Sequence, residues 1–264
     1  MKNIYSNIFP FNKKTLLKSV AYLKKGNVVG LPTETVYGLA GNAYSKKSVN
    51  KIYKLKKRPK FNPLIVHYFN HKDAKNDVIF NENFFKLYKK FCPGPITFVL
   101  KKKKKSKIKS SVTANLNTLA IRFPSHRIVR SVLKKINFPL AMPSANLSTN
   151  ISPVNARDVA DEFRKNIKVI INGGDSKIGI ESTVIDLTRN PKILRPGIIG
   201  PEIINRFLKV SIRKKNSKLK SPGMLKKHYS PGIPIFLNQK TFIKKHAFIT
   251  FGNKYKNNKN CFNL

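Results

Sequence analysis

Apolar positions recur at helical spacing through residues 12–25 (NKKTLLKSVAYLKK), which predicts an amphipathic helix begun at Asn12 or Thr15 and stopped at Gly26. A short apolar run at 28–31 reads as a buried strand. A second helix is expected over 46–57, ending before Arg58-Pro59, because a residue ahead of proline is pushed out of the helical region. Further strands are expected at 63–67, 96–100, 119–123, 140–143 and 169–171, with 183–187 and 193–195 as a pair. Helices are expected at 81–91, 126–136 and 156–165. Strands and helices mix without a strict βαβ order, which predicts an α/β fold of α+β character built on a sheet of mixed direction.

Between the first strand and the second helix lies Leu31-Pro32-Thr33-Glu34-Thr35-Val36-Tyr37-Gly38-Leu39. Its proline and glycine demand a sharp turn, so the strand cannot run on through it. A polar cluster at a strand end of an α/β sheet is where ligands sit. Read alone, the same residues also fit a capped turn with Thr33 as N-cap of a following helix.

The character changes near residue 210. Residues 1–210 are expected to form the main domain, 211–231 a Lys/Ser/Asn-rich linker, and 232–264 a short remainder with strand-like pieces at 234–237 and 247–251. So short a piece buries no core of its own.

Composition narrows the class. With 41% hydrophobic residues in 264, the chain can bury one large core, and no apolar run reaches the roughly 18 residues of a membrane span. The first residues lack the apolar stretch of a secretory signal, and Cys92 and Cys261 form no CxxC, so a reducing cytoplasm and no membrane are expected. The net charge of +43, from 54 Lys+Arg against 11 Asp+Glu, points to phosphate-rich partners. Lysine is nevertheless spread over nearly every segment beside abundant Asn and Ile, as AT-rich coding would also produce. Both explanations stand. The run 101–105 is expected to be a solvated loop.

No GxxxxGK[ST], GxGxxG, GxSxG or HExxH occurs, so any nucleotide must be held by side chains and helix ends. Lys56-Lys57-Arg58 at a helix end offers a guanidinium fork and a point charge for phosphate, or simply a solvated basic terminus. Arg122, inside the apolar strand of TLAIRFP, must meet a carboxylate or an anionic ligand. Ser144-Ala145-Asn146 looks like a helix cap whose N–H groups would suit an anion. Glu181-Ser182-Thr183 with Arg195-Pro196-Gly197 puts hydroxyls at a strand mouth, and His67 ends a strand as either a core histidine or a ligand contact.

In this order PTETVYGL, the KxR of 56–58, NPLIVH, AIRFP, the SxN of 144–146, and ESTVID with LRPG closely resemble the threonylcarbamoyl-AMP synthase family, the YrdC-like proteins, over residues 12–207. SPGMLKKHYSP (221–231) resembles the linker of the family's long form, whose C-terminal domain looks truncated here. The resemblance implies a YrdC-like twisted mixed sheet with a concave active-site face. It implies a nucleotidyltransferase that condenses L-threonine, bicarbonate and ATP, with Mg²⁺, to threonylcarbamoyl-AMP and pyrophosphate. That is the first step of the t6A modification of tRNA, and the product passes to a tRNA threonylcarbamoyl transferase complex.

The same resemblance assigns Thr35, His67, Arg122 and Ser182 to threonine. It assigns Arg58, Asn62, Thr118, Ser144, Ser152, Arg195 and Tyr229 to ATP, with Tyr229 in a lid. Lys56, Arg58, Ser144 and Asn146 make up the catalytic KxR and SxN sets, and no protein metal ligand is assigned. The alternatives are a non-catalytic module for double-stranded RNA, which the charge favours, and the carbamoyl-adenylate chemistry of hydrogenase maturation factors. The complete small-molecule constellation argues against the first, and the missing acylphosphatase and zinc-finger regions argue against the second. Weak tRNA binding is expected from the field alone.

Overall fold

The strands expected from the apolar runs assemble into one mixed sheet. The computed structural model describes residues 5–209, 211–212, 234–241, 246–252 and 261–263. The strands of the main unit are β1 (Ile8–Pro10), β2 (Val29–Leu31), β3 (Gly38–Asn42), β4 (Ile65–His67), β5 (Val78–Ile79), β6 (Ile96–Lys102), β7 (Thr118–Arg122), β8 (Leu140–Ala141), β9 (Ile170–Asn172), β10 (Thr183–Asp186), β11 (Lys192–Arg195) and β12 (Ser211–Ile212). The helices are α1 (Lys13–Lys24), α2 (Lys46–Leu55), α3 (His71–Ala74), α4 (Glu82–Phe91), α5 (Ser110–Thr113), α6 (Arg127–Lys135), α7 (Ala156–Phe163) and α8 (Pro201–Asn205). The sheet order is β1-β9-β2-β3-β8-β4-β7-β6-β10-β11-β12, with β5 beside β6. Parallel joins such as β4–β7 and β6–β10 alternate with antiparallel ones such as β7–β6 and β10–β11.

The two faces of the sheet are covered unequally. On one, Leu39, Val66, Phe98 and Ile121 pack against Ile52 of α2, Phe84 of α4 and Val159 of α7. On the other, α1 and α6 bury Leu23, Val129 and Val132 against Leu31, Leu140 and Ile171 at the β2–β9–β8 end. Beyond them that face carries only a small patch of Ile65, Val99, Ala120, Val184 and Leu194. A cleft opens there, lined by Ile65 among others.

Local chemistry fixes the helix ends. Asn12 and Thr15 form a reciprocal capping box for α1, with each side chain accepting the other's backbone N–H. α2 ends in a Schellman turn, in which the Arg58 N–H donates to Tyr53 O at 3.0 Å and the Lys57 N–H to Lys54 O at 3.2 Å. Lys57 takes the left-handed position with φ +48°. The turn leaves Lys57 outside and buries Lys56, which is 1% exposed.

Four expectations are corrected. No helix follows Thr33, because the turn leads into β3, antiparallel to β2, so the segment is the loop of a strand pair. No helix follows Ser144 either, and that residue instead makes an isolated bridge to Gly38. The run at 101–105 is not all loop, since Lys101 and Lys102 extend β6 and pair with β5 and β7. The strand-like 234–237 is irregular. The elements β1, β3, α3, β5, α5, α8 and β12 and the strand at 261–263 were not expected, and each spans five residues or fewer, too short for a periodic signal.

Residues 231–264 form a second compact unit, in which β13 (Phe248–Thr250) and β14 (Cys261–Asn263) pair in parallel. Among the described residues no helix is long and apolar enough to cross a membrane.

The left-handed conformation of Lys57 gives a stability test. Lys57→Gly relieves a steric cost of about 1 kcal/mol but adds unfolded-state entropy, for a net gain of about 0.5 kcal/mol and roughly 1–2 °C in Tm. A lower Tm in thermal denaturation would contradict this account of the turn.

Candidate active site

Strand register carries the site. His67 lies opposite Arg122, Arg122 opposite Thr97, Thr97 opposite Val184, and Val184 opposite Arg195. This row crosses β4, β7, β6, β10 and β11 on the half of the sheet that α1 and α6 leave uncovered. Its His67, Arg122 and Arg195 line a cleft of about 740 Å³, open solvent included. The loops at the strand ends form the walls.

Nine of the predicted site residues meet in this cleft: Lys56, Arg58, Asn62, His67, Arg122, Ser144, Asn146, Ser182 and Arg195. Three others do not line it. Thr35 lies behind Thr33, whose hydroxyl it meets at 2.9 Å, and Thr33 is the lining residue. Ser152 reaches the cleft through Glu181, to which it donates at 3.1 Å. Thr118 starts β7 opposite Lys101, four residues before Arg122 and so about 13 Å along the strand. Tyr229 lies outside the described residues.

The first wall is the 33–38 loop. The Thr33 hydroxyl closes it by donating to Val36 O at 2.6 Å and accepting the N–H groups of Thr35 and Val36 at 3.2 Å. Tyr37 donates its hydroxyl proton to Gly174 O at 2.7 Å and accepts the Gly173 N–H at 3.0 Å. A side chain at Gly38 would place Cβ 2.5 Å from Met142 Cγ, so only glycine lets β3 approach the 142–144 segment.

The second wall is the 144–150 segment, and Lys56 holds it. The Lys56 ammonium donates to Ser144 O at 2.7 Å, to Asn146 O, and to Asn146 Oδ1 at 3.4 Å. Its three protons are thereby engaged, which makes Lys56 a clamp on the SxN segment. The N–H groups of that segment are largely taken as well, Ala145 by Tyr37 O and Leu147 by the Glu162 carboxylate. The anion-receiving cap read from the sequence is therefore absent. Burial pulls the Lys56 ammonium down to about 7, and Arg58's charge adds to the pull.

The third wall is Glu181-Ser182 with Arg195. The Arg195 guanidinium pairs with Glu181 and donates to Ser182 O from Nε at 3.1 Å and from Nη2 at 2.8 Å. Ser182 Oγ lies 2.8 Å from Thr97 Oγ1. A Cβ at Gly197 would sit 2.5 Å from Thr183 N, so this glycine permits the two segments to close together. Arg58 is pinned by Nε to Asn62 O at 3.0 Å and by Nη2 to Asn62 Oδ1 and Pro63 O. Burial lowers it to about 10, so it stays charged at neutral pH.

Glu34 answers the expectation that Arg122 needs an anion. Its Oε1 accepts from Arg122 Nη2 at 2.7 Å, and its Oε2 accepts the backbone N–H groups of Ser125 and His126 at 3.1 and 3.3 Å. Burial pushes the carboxyl up, but the Arg122 charge and these hydrogen bonds outweigh it and hold Glu34 below its ordinary value. Burial and the Arg122 charge lower His67 to about 3, so its imidazole is neutral. Sequence reading left Glu34 without a role. The signal was there: one of 11 acids in a strand-end loop, and an arginine in an apolar strand that required a carboxylate.

Three buried polar atoms of the lining have no partner among the described residues: Arg122 Nε, His67 Nδ1 and Ser148 Oγ. Each such group costs about 1–3 kcal/mol unless a ligand satisfies it. Four cations, a neutral imidazole and unmade hydrogen bonds in one cleft suit a ligand with phosphate and carboxylate groups.

A family model described as "Telomere recombination", that of Sua5, YciO and YrdC, matches residues 21–197. The chain belongs to the Sua5/YciO/YrdC family. A second model, the C-terminal domain of threonylcarbamoyl-AMP synthase, matches residues 199–262. The threonylcarbamoyl-AMP synthase of Pyrococcus abyssi is 38% identical over 229 residues, covering 83% of this chain and 66% of that protein. That of Bacillus subtilis is 38% identical over 235 residues, covering 85% and 66%. The chain thus spans just under two thirds of the length of these curated relatives. The crystal structure of P. abyssi Sua5 complexed with L-threonine superposes with a TM-score of 0.82 at 34% identity, covering 92% of this chain and 71% of that one. The family confirms the expected fold, a large mixed sheet flanked by helices.

The Glu34–Arg122 pair sets an acid-stability prediction. Glu34's folded pKa is lowered, so its contribution is present above its ordinary 4.5 and is lost as pH falls below it. Glu34→Gln should cost about 2–3 kcal/mol in urea unfolding at neutral pH and flatten the loss of stability on acidification. An unchanged acid limb would show that the pair does not act this way.

Proposed function

We propose that the chain is a threonylcarbamoyl-AMP synthase, converting L-threonine, bicarbonate and ATP to threonylcarbamoyl-AMP and pyrophosphate for t6A modification of tRNA. The observation that carries this is the unpartnered Arg122 Nε beside His67 in a cleft also lined by Arg58 and Arg195. Arg122 already gives Nη2 to Glu34, so its remaining donors fit the threonine carboxylate. Arg58 and Arg195 suit the triphosphate, with Asn62 and Ser144 nearby.

The threonine amine bonds to the carbon of bicarbonate, and water leaves to give a carbamate. Its oxygen bonds to the α-phosphorus of ATP as the bond to the bridging oxygen breaks, and pyrophosphate leaves with that electron pair. No protein nucleophile is required. The residues align the reactants and neutralise charge in a partly dry site. Mg²⁺ enters with ATP and offsets triphosphate charge. Among the described residues no group of three His, Cys, Asp or Glu stands ready for a metal, and Glu181 of the cleft meets Arg195 and Ser152. Phosphate oxygens and water would therefore supply most of its ligands.

Residues 1–210 would hold the chemistry and 211–231, with Tyr229, would serve as a lid over the nucleotide. The product would pass to a tRNA threonylcarbamoyl transferase complex in the cytoplasm. The net charge of +43 favours one further reading, a non-catalytic RNA-binding module. The clustered buried cations and orphaned donors support the synthase, since neither serves a surface that tracks a nucleic-acid backbone.

Incubation with threonine, bicarbonate and ATP should release pyrophosphate only when threonine is present, and yield threonylcarbamoyl-AMP. Arg122→Ala is expected to raise the KM for threonine by about 100-fold or more, and that for ATP far less. Equal effects on both substrates would refute this division of labour. Arg58→Ala should abolish pyrophosphate release, and near-normal turnover would remove Arg58 from the phosphate site.

A further inference from the structure

Arg58 belongs to two concavities. Besides the cleft, it lines a groove of about 1290 Å³, open solvent included, which runs between α2 and α5. Arg58 is the residue common to both linings. One wall carries Lys46 and Lys54 of α2 and Lys57 of the turn that ends it, and the other carries Ser110 and Ser111. Lys60 also lines the groove, and no lining residue is acidic.

Exposed lysines are common in this chain, and two features set these apart. Lys57 holds a left-handed conformation that glycine would adopt without strain, so a side chain is kept there at a cost. Ser111 Oγ is buried without a partner among the described residues. The Tyr53 hydroxyl also lines the groove, 3.0 Å from Asn62 O and 2.9 Å from Ser111 O. Asn62 is the same residue that pins the Arg58 guanidinium. One set of bonds therefore shapes both the groove and the partition between it and the cleft.

We propose that the groove is a second anion subsite that receives pyrophosphate as it leaves the cleft. The inference rests on the adenylate-forming reaction proposed for the cleft. In that reaction the severed β- and γ-phosphates carry away the electrons of the broken P–O bond as a multiply charged anion. Arg58 contacts it on the cleft side, and Lys57, Lys54 and Lys60 offer the next cations along the groove. The adenylate keeps the cleft while its leaving group departs by a separate path.

The test uses the full chain and inorganic pyrophosphate. With the cleft filled by α,β-methylene ATP, the wild type should still bind pyrophosphate in calorimetry. The triple variant Lys54→Gln/Lys57→Asn/Lys60→Gln, in which asparagine tolerates the left-handed backbone, should bind it about tenfold more weakly or worse. Its affinity for the analogue should stay within about twofold of wild type. In turnover the variant should show a lower steady-state kcat with an unchanged single-turnover rate. Strict competition between pyrophosphate and the analogue overturns the subsite. So does unaltered pyrophosphate binding in the variant, or a loss confined to RNA oligonucleotides. If pyrophosphate binds as expected but no threonylcarbamoyl-AMP forms, the reading of the cleft fails while the anion subsite stands.

Discussion

The ion pair between Glu34 and Arg122 is the constraint around which the cleft is built. Both side chains are almost fully buried, and a buried charge without its partner costs several kcal/mol. The pair therefore fixes where the 33–38 loop lies against β7. The same carboxylate receives the backbone N–H groups of Ser125 and His126, which sets the entry to α6. One residue thus joins a loop, a strand and a helix, and it leaves Arg122 with a donor to spare. The functional character of Arg122 depends on Glu34 satisfying part of the guanidinium and no more.

A second constraint is Lys56. Its ammonium satisfies oxygens on the 144–146 segment, so the wall carrying Ser144 and Asn146 depends on a cation from the end of α2. Because burial lowers its pKa to about 7, the clamp is charged on the acid side of neutrality and loses its proton on the alkaline side. A neutral amine has two donors instead of three, and the wall is then held less fully.

Much of the sheet was legible in the sequence, because buried strands such as 96–100 and 119–123 are apolar runs broken only by Thr97 and Arg122. Amphipathic helices such as α1, with its Asn12 cap, were legible for the parallel reason. What stayed hidden was geometry set by distant contacts. Thr33 and Ser144 carry cap-like residues, yet the Thr33 hydroxyl turns onto Val36, and long-range bonds from the 176–179 segment and to Gly38 claim those backbones for a loop and a bridge. Of the site, the charged residues were legible singly, since an arginine inside an apolar strand announces a partner. The identity of that partner was not, because nothing local in PTETVYGL says which way Glu34 points. Thr118, which the motif assigns to ATP, lies at the far end of its strand from Arg122.

The bonds that Tyr37 makes to Gly173 and Gly174 have a consequence for synthesis. They join residues 136 and 137 positions apart, and the third wall is completed only by Arg195. Contacts of such long sequence separation form late, because the chain entropy of closing large loops must be overcome first. On the ribosome the first wall therefore emerges long before Gly173, Gly174 and Arg195, which complete the site. The nascent chain has its sheet centre and several helices before it has a binding site, so the cleft is an end-product of folding.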